Sequence, residues 1–319
     1  MTGGNDSHAG LHVSGRFPEL EDALAERVLE LRRSDPLAPL TVVVGSAAVR
    51  THVGDLLVRR LHALANVTVV TLTRLAGELV TQAAGAPPAV LAGVARERFL
   101  RRLIREHVDR LEHFGAIHER PHFAQALAAT FADLREAGIE PDAPWADAVA
   151  PAGVPDDDRN CARASDLDRL YRAYCTDLDA RGLLDGAAVF AAAARAVPDR
   201  RSLGKVILYG IYDVSQVQEA LIVALIAGGA DVLEPLPRGA ARLNEATLGA
   251  ARSAGLSEQR RTGADKRTDL DRLAAVWRDS AAAVDEPLLF TGDQTLTVAC
   301  VSDERAEARE AVRAVVAAA

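Results

Sequence analysis

The stretch KVILYGIYDVSQVQEA at residues 205–220 decides the fold class. Its apolar run at 206–208 predicts a strand that is buried on both faces, as in a parallel sheet. Gly210 and Asp213 are turn residues, and Ser215 with Gln218 has the spacing of a capping box at the start of a helix. A strand leading directly into a loop and a helix places that loop at the carboxyl edge of an α/β sheet, where such folds bind ligands.

The composition is that of a globular chain with many helices. Its 319 residues suffice for about two domains, and apolar and charged residues make up 49% and 26%. With 37 basic and 45 acidic residues the net charge is −8, so contact with nucleic acid needs a local basic face. The three cysteines form no CxxC pair, and no apolar run approaches a membrane span. Residues 1–10 are polar and flexible without the apolar core of a signal peptide, so we expect a cytoplasmic protein without membrane contact.

The rest of the chain divides by its hydrophobic pattern. Residues 11–86 alternate between strands and helices, with strands at 40–44 and 67–70. Residues 87–197 show only helical periodicity, and the capping-box spacing of Ser165 and Asp168 predicts a helix start there. The pattern predicts a return to the sheet at 198–240, then a linker and the start of a second α/β domain at 241–319. In that last part we expect a strand at 296–301 and a helix at 304–316.

The loop at 209–218 also resembles motif II of UvrD-type helicases, which reads Asp-Glu-Phe-Gln-Asp, four residues, Gln. Asp213 and Gln218 occupy the positions of the last Asp and the Gln. Tyr209 and Gly210 stand where the family has its magnesium-binding Asp and its water-activating Glu. This eroded form is similar to AddB-type subunits of bacterial helicase–nucleases and to related RecB-family exonucleases. Without the resemblance, the stretch is one strand–loop–helix unit of some α/β protein, in which Asp213 or Gln218 serves the helix start.

The resemblance implies a domain organisation and a role. Residues 11–86 and 198–240 would form a degenerate RecA-like sheet of the P-loop NTPase type, and 87–197 an all-helical insert like subdomain 1B. The chain would be an N-terminal fragment, followed in the full protein by the rest of a second RecA-like domain and a PD-(D/E)XK nuclease. The family uses ATP and Mg²⁺, acts on DNA ends in double-strand break repair, and works with an AddA-like helicase–nuclease subunit.

The first strand–helix junction lacks the P-loop sequence G-x-x-x-x-G-K-[ST]. Aligned on the helix, Glu19 takes the place of the Lys and Leu20 that of the Ser/Thr; anchored on Gly15, the Lys position is Glu21. Either register sets a carboxylate against a triphosphate, and like charges at close range cost several kcal/mol. We therefore expect no catalytic residue, no bound cofactor and a degenerate ATP site made of Gly15, Glu19, Leu20, Tyr209 and Gly210.

Two further loops resemble DNA-contacting helicase motifs Ia and Ib. Gly45 and Ser46 follow the strand at 40–44, and Gly45 stands where the family often has Pro. Thr71, Thr73 and Arg74 open the helix after the next strand. The resemblance implies that Ser46 and these three residues touch the DNA backbone. The alternative is that Thr71 or Thr73 only caps its helix.

One helix carries a candidate basic face. Arg98, Arg101, Arg102 and Arg105 fall on one side of the predicted helix at 94–111, where they would hold DNA phosphates. The alternative is a solvated face, because acidic residues are interspersed. The nearby His113, His118 and His122 lack the spacing of a metal site, so no metal is expected.

Two functions of other classes stay open at this point. The chain could be an interaction scaffold whose sheet edge contacts only protein. It could also be an unrelated enzyme of the doubly wound type that binds a nucleotide or sugar nucleotide.

Overall fold

Six of the described segments form one parallel sheet. The computed structural model describes residues 10–62, 65–143, 158–197, 203–235, 245–261, 268–269, 291–292, 301 and 303–318. The strands are β1 His12–Gly15, β2 Leu40–Val44, β3 Val67–Thr71, β4 Lys205–Tyr209, β5 Asp231–Pro235 and β6 Glu258–Arg260. They lie in the order β3-β2-β4-β5-β1-β6, and every neighbouring pair is parallel. The predicted α/β class with a parallel sheet is confirmed, and the arrangement is consistent with a RecA-like fold.

The helices follow the strands in the alternation typical of α/β folds. Their bounds are α1 Phe17–Ser34, α2 Ala47–Leu61, α3 Leu72–Ala84, α4 Gly93–His107, α5 Phe123–Glu136, α6 Asp158–Arg181, α7 Gly186–Ala196, α8 Gln216–Ala227, α9 Glu245–Ser253 and α10 Glu304–Ala318. Two short 3₁₀ turns, Val108–Arg110 and Phe114–Ala116, lie between α4 and α5. Within the described part of the chain, no helix combines the length and the apolarity needed to cross a bilayer.

The chain forms two compact units. One consists of Met1–Pro235 with Arg242–Arg261, and the other of Leu236–Ala241 with Thr262–Ala319. The first contains the whole sheet, and α10 is the main described element of the second. The predicted helix at 304–316 is therefore present, whereas the strand predicted at 296–301 falls, apart from Val301, outside the described residues.

The three strands that carry the predicted motifs adjoin in the sheet. Val42 of β2 lies between Val69 of β3 and Ile207 of β4. β2 and β4 are mostly apolar because both strands are covered on both faces of the sheet. The side chains of Val43 and Leu208 point to one core, and those of Val42 and Ile207 to another. Helices α3, α7 and α8 cover the first face, and α1 and α2 cover the second.

A helical subdomain with its own core is inserted between α3 and α7. Its interior is built from α4, α5 and α6, including the packed rings of Phe131, Tyr171 and Tyr174. The chain enters and leaves side by side, because Leu91 N donates to Leu184 O at 2.7 Å and Leu184 N donates to Ala89 O at 2.9 Å. Helix α7 lies within the range predicted for the insert, but its apolar residues pack in the core of the sheet.

Buried Asp185 links the helical subdomain to α7. Its carboxylate accepts the Ala188 backbone N–H and so caps α7. The same group lies 3.1 Å from the Arg135 guanidinium of α5 and accepts from the Tyr174 hydroxyl at 3.4 Å. Desolvation raises the pKa of Tyr174, so the phenol remains a neutral donor to this carboxylate.

The helix start predicted at Ser165 is wrong. Helix α6 begins at Asp158, so Ser165 and Asp168 lie inside it, and Asp168 pairs with Arg172 one turn later at 2.8 Å. The acidic residue of this segment that has a structural role is Asp166, whose buried side chain contacts the loop after α4. It accepts the backbone N–H groups of three residues in the loop after α4, namely Glu112, His113 and Phe114.

The sheet also extends into the range predicted as a linker. Helix α9 and strand β6 both lie there, and β6 pairs with β1 through His12 opposite Glu258. All three residues of β6 are polar and exposed, so the sequence has no apolar run that would predict this strand. Backbone pairing with β1 and a side-chain hydrogen bond from Ser14 to Glu258 hold it in the sheet.

Candidate functional site at the carboxyl edge of the sheet

The loops that follow four strands lie together at the carboxyl edge of the sheet. Because β2 is paired with β3 and β4, Val44 lies beside both Thr71 and Tyr209. Strand β1 lies on the other side of β5, and its last residue, Gly15, is opposite Pro235 at the end of β5. The structure thus brings the predicted DNA loops and the predicted nucleotide loops to one edge.

The junction between β1 and α1 is too short for a phosphate-binding loop. Arg16 is the single residue between Gly15, the last of β1, and Phe17, the first of α1. A P-loop needs a run of residues whose amides surround the phosphates. Leu20 is fully buried in the core beneath α1, so an apolar side chain points inward where the family has a metal-binding hydroxyl.

Glu19 places an ionised carboxylate at this junction. The Arg16 guanidinium donates to it, with Nε and Oε1 3.1 Å apart. This hydrogen bond is the main reason that the pKa of Glu19 lies below its usual value, so the group is charged at neutral pH. The carboxylate is therefore paired with an internal cation at the position that a P-loop gives to lysine.

The ring of Phe17 closes the gap between α1 and the loop after β4. A Cβ added at Gly210 would lie 3.2 Å from Phe17 Cε1, so the ring rests against this glycine. The adjacent Tyr209 is buried, and desolvation raises the pKa of its phenol. A neutral phenol and an aromatic ring thus lie at the loop whose sequence resembles helicase motif II.

The loop after β4 projects two exposed side chains. Tyr212 is 48% exposed, and the neighbouring Asp213 is exposed in the left-handed backbone region, with φ of 54°. Helix α8 starts after Ser215, so Asp213 is not its N-cap. Gln218 Oε1 accepts the Ser215 backbone N–H at 3.2 Å, and this residue therefore has a structural role at the helix start. A non-glycine residue with positive φ is uncommon and is found more often at functional loops.

The hydroxyls of the two other loops act as helix caps. Ser46 Oγ accepts the Val49 N–H and Thr71 Oγ1 accepts the Arg74 N–H, each at 3.3 Å. These bonds do not use the hydroxyl protons, which remain able to donate to a phosphate oxygen. Thr73 lies exposed beside Arg74, whose guanidinium pairs with Glu78 at 2.7 Å.

The arginines predicted to form one basic face differ in their contacts. Arg102 is tied into the protein: it pairs with Asp177 of α6 and lies 5.1 Å from the centre of the Phe99 ring. Arg98, Arg101 and Arg105 remain exposed. The predicted face of four cations is thus reduced to three.

A buried polar cluster beside the edge was missed by the sequence patterns. His12 Nε2 of β1 lies 3.1 Å from Glu234 Oε2 of β5, and both side chains are almost fully buried. Next to them, Ser14 Oγ donates to Glu258 Oε1 at 2.5 Å. Burial raises the pKa of Glu234 more than the His12 contact lowers it. The only available signal was the presence of titratable residues inside otherwise apolar strands.

No group of three or more His, Cys, Asp and Glu in the described part of the chain is arranged to hold a metal ion. The histidine-rich loop uses its imidazoles locally. His118 Nδ1 is hydrogen-bonded to Gly115 O at 2.8 Å, and His122 Nδ1 to Gln125 Oε1 at 3.1 Å.

Comparison with known protein families assigns part of the sheet and its loops to one family. A family described as ADDB, N-terminal, matches residues 54–233, which is more than half of the chain. The chain belongs to this AddB N-terminal family. Among curated proteins no match to the chain was found. The family associates the chain with an AddB-like subunit and with DNA repair.

The matched range divides the candidate residues. It runs from α2 to β5 and includes Thr71, the α4 arginines and the whole loop after β4. Gly15, Glu19, Leu20 and Ser46 precede it. The roles suggested for these four residues therefore rest on their geometry and on the resemblance of their loops.

Proposed function

We propose that this chain is a DNA-guiding module of an AddB-like helicase–nuclease subunit that has the shape of a motor but does not hydrolyse ATP. It would act in double-strand break repair, with ATP hydrolysis supplied by an AddA-like partner. The observation that carries the proposal is the β1–α1 junction, where Arg16 pairs with Glu19 and Phe17 covers Gly210.

The chemistry of this junction disfavours a nucleotide. A triphosphate would meet the Glu19 carboxylate without a loop of amides to surround it. The neutral Tyr209 offers no anionic oxygen to Mg²⁺, which prefers carboxylates and phosphates. ATP binding and hydrolysis therefore need groups that this edge does not present.

The same edge has groups suited to a nucleic-acid strand. Thr73 and Arg74 are exposed hydrogen-bond donors for phosphate oxygens, and Tyr212 is an exposed aromatic ring on which a base can stack. Base stacking is tolerant of sequence, which suits a module that guides DNA of any sequence.

The expected absence of ATP binding and hydrolysis is tested by calorimetry and by hydrolysis assays. We expect no rise of the melting temperature with 5 mM Mg-ATP, whereas ligand at about 100 times its Kd would stabilise the fold by about 2.7 kcal/mol. Phosphate release should equal that of the buffer. A motor protein with an intact P-loop serves as the control, and turnover by this chain would contradict a silent module.

DNA guidance is tested by fluorescence anisotropy with a labelled 20-nucleotide oligodeoxythymidylate. We expect binding that weakens steeply with salt, because neutralised phosphates release counterions. Tyr212→Ala should weaken binding about tenfold, since stacking of one base contributes about 1–3 kcal/mol. Val223→Ala, at an exposed apolar position on α8, is the matched control. Absence of DNA binding together with capture of an AddA-like subunit would instead favour the protein scaffold.

A further inference from the structure

We propose that a cationic groove between α4 and the loop before α5 binds the phosphate backbone of single-stranded DNA. We call it the α4 groove; it encloses about 540 Å³ and is lined by Arg101, Arg105, His118, Glu119, Arg120 and His122. It lies on the helical subdomain, apart from the loops at the carboxyl edge. The choice of DNA among phosphate polymers rests on the proposed function.

The charges in the α4 groove are not balanced locally. Arg101 pairs with Glu97 at 2.5 Å, and Arg105 Nε donates to the Arg101 carbonyl oxygen at 3.3 Å. Arg105 and Arg120 have no acidic partner among the described residues, and the side chain of Glu119 is 88% exposed at the rim. A local excess of cations in a chain of net charge −8 is not a result of composition, and it attracts anions.

The loop that brings Arg120 to α4 is held in place. Its beginning is fixed by Asp166, which accepts three consecutive backbone N–H groups. The rings of Phe114 and Phe123 pack 5.2 Å apart beneath it. His122 has φ of 66°, a left-handed conformation that costs free energy in a non-glycine residue and persists only where the surroundings enforce it. The groove is therefore preorganised, and little ordering is needed on binding.

The length of the cationic row indicates a polymer as the ligand. Arg98 is exposed seven residues before Arg105, so their Cα atoms are about 10 Å apart along α4. Together with Arg101 and Arg120 they extend beyond the size of a single phosphate. A chain of phosphates can contact such a row, and flexible single strands can follow it more easily than a rigid duplex.

The test replaces three cations of the groove and measures anisotropy of the labelled oligodeoxythymidylate across a NaCl titration. For the variant R101Q/R105Q/R120Q we expect affinity at least about tenfold weaker and a salt slope lower by about 2, since each single-strand contact contributes about 0.7. The control R163Q/R169Q/R195Q removes the same charge at exposed positions that do not line the groove. The control should bind like the unmodified protein, and melting temperatures should be equal.

The outcomes separate this proposal from the proposed function. Equal weakening by both triple variants would overturn the α4 groove, because only net charge would matter. Normal binding by the groove variant, with weak binding by Tyr212→Ala, would overturn the groove and leave the proposed function standing. If the unmodified protein binds inorganic polyphosphate but not DNA, and the groove variant loses that binding, the phosphate groove stands and the proposed function fails. Binding of neither probe would overturn both.

Discussion

The two ends of β4 are closed by different kinds of contact. At the amino end Gly204 has φ of 61°, and an added Cβ would lie 1.9 Å from the carbonyl oxygen of Pro39. At the carboxyl end Gly210 has φ of 63°, and an added Cβ would lie 3.2 Å from the ring edge of Phe17, which is 41% exposed. The first neighbour is backbone fixed by the sheet, and the second is the end of a movable side chain. A side chain added at the amino end would therefore meet fixed main chain, whereas one added at the carboxyl end would meet a movable ring.

The two buried acids of β5 repeat this difference. Asp231 begins the strand, and its oxygens accept from three donors at 2.7–2.8 Å: Leu11 N, Arg27 Nε and Lys205 Nζ. Glu234 lies near the other end and has one partner, His12, while its Oε1 atom has no hydrogen-bond partner. Asp231 is thus fully paired and contributes to stability, whereas Glu234, nearer the edge that binds ligands in α/β folds, retains an oxygen without a partner.

The largest effect should come from Gly204→Ala. The new methyl group overlaps the Pro39 carbonyl, and alanine is disfavoured at positive φ, so we expect a loss of about 3–5 kcal/mol in unfolding free energy. Urea denaturation followed by circular dichroism measures it. Gly54→Ala in α2, where no atom lies within 4 Å of the new Cβ, is the control and should be neutral or stabilising. A loss below 1 kcal/mol for Gly204→Ala would show that the amino edge can move.

Asp231→Ala should follow with a loss of about 2–4 kcal/mol. It leaves Arg27 and Lys205 without their shared carboxylate, and removal of one partner of a buried pair costs about 3–5 kcal/mol, less here because both cations are partly exposed. The same denaturation assay applies. Glu78→Ala, which breaks the exposed pair with Arg74, should change stability by less than about 1 kcal/mol. Equal effects of the two substitutions would remove the distinction drawn for the amino edge.

The sequence predicted the sheet well where strands are apolar. The runs at 40–44, 67–70 and 206–208 are strands that adjoin as expected; those at 40–44 and 206–208 are buried, and the edge strand at 67–70 is partly exposed. Strand β6 was not predictable, because the sequence Glu-Gln-Arg at 258–260 carries no hydrophobic signal. The capping signal at Ser165 was misleading because the helix already begins at Asp158, and Asp168 pairs with Arg172 inside it.

The positions of the candidate loops along the chain were predictable from the sequence, but the side-chain contacts between them were not. Sequence spacing located the loops after β2, β3 and β4, and parallel pairing then brought them to one edge. The contact of Phe17 with Gly210 joins residues that are distant in sequence, and no local pattern encodes it. The sequence likewise could not show that Arg102 turns toward Asp177 while Arg105 lines a groove with Arg120.

A smaller effect is expected for Gly210→Ala at the carboxyl edge. Alanine in the left-handed region costs about 1–2 kcal/mol, and the Phe17 ring can shift to admit the methyl group. In a Phe17→Ala background the contact part of this loss should disappear, so the double variant should be more stable than the sum of the single changes predicts. Strict additivity in this cycle would mean that the ring does not close the edge.

The smallest expected effect is a pH dependence of folding stability that buried Glu234 causes and an ordinary surface acid does not. Burial raises its folded-state pKa above the unfolded value of 4.5, so the folded protein holds a proton that the unfolded chain releases. The two states are equally protonated well below pH 4.5, and stability is lost as the pH rises through the folded pKa. The side chain in Glu234→Gln cannot ionise. We therefore expect the unfolding free energy of this variant, relative to that of the unmodified protein, to rise by on the order of 1 kcal/mol from pH 4 to pH 8.

This difference is measured by urea denaturation at pH 4, 6 and 8. The groups that face Glu234 are His12, Glu258 and Arg252, and all three are retained in the variant. Glu245→Gln on α9, at an exposed carboxylate, serves as the control and should leave the pH profile unchanged. Parallel stability curves for Glu234→Gln and the unmodified protein would mean that Glu234 is as well accommodated as Asp231, and the two edges would then differ only in their glycine contacts.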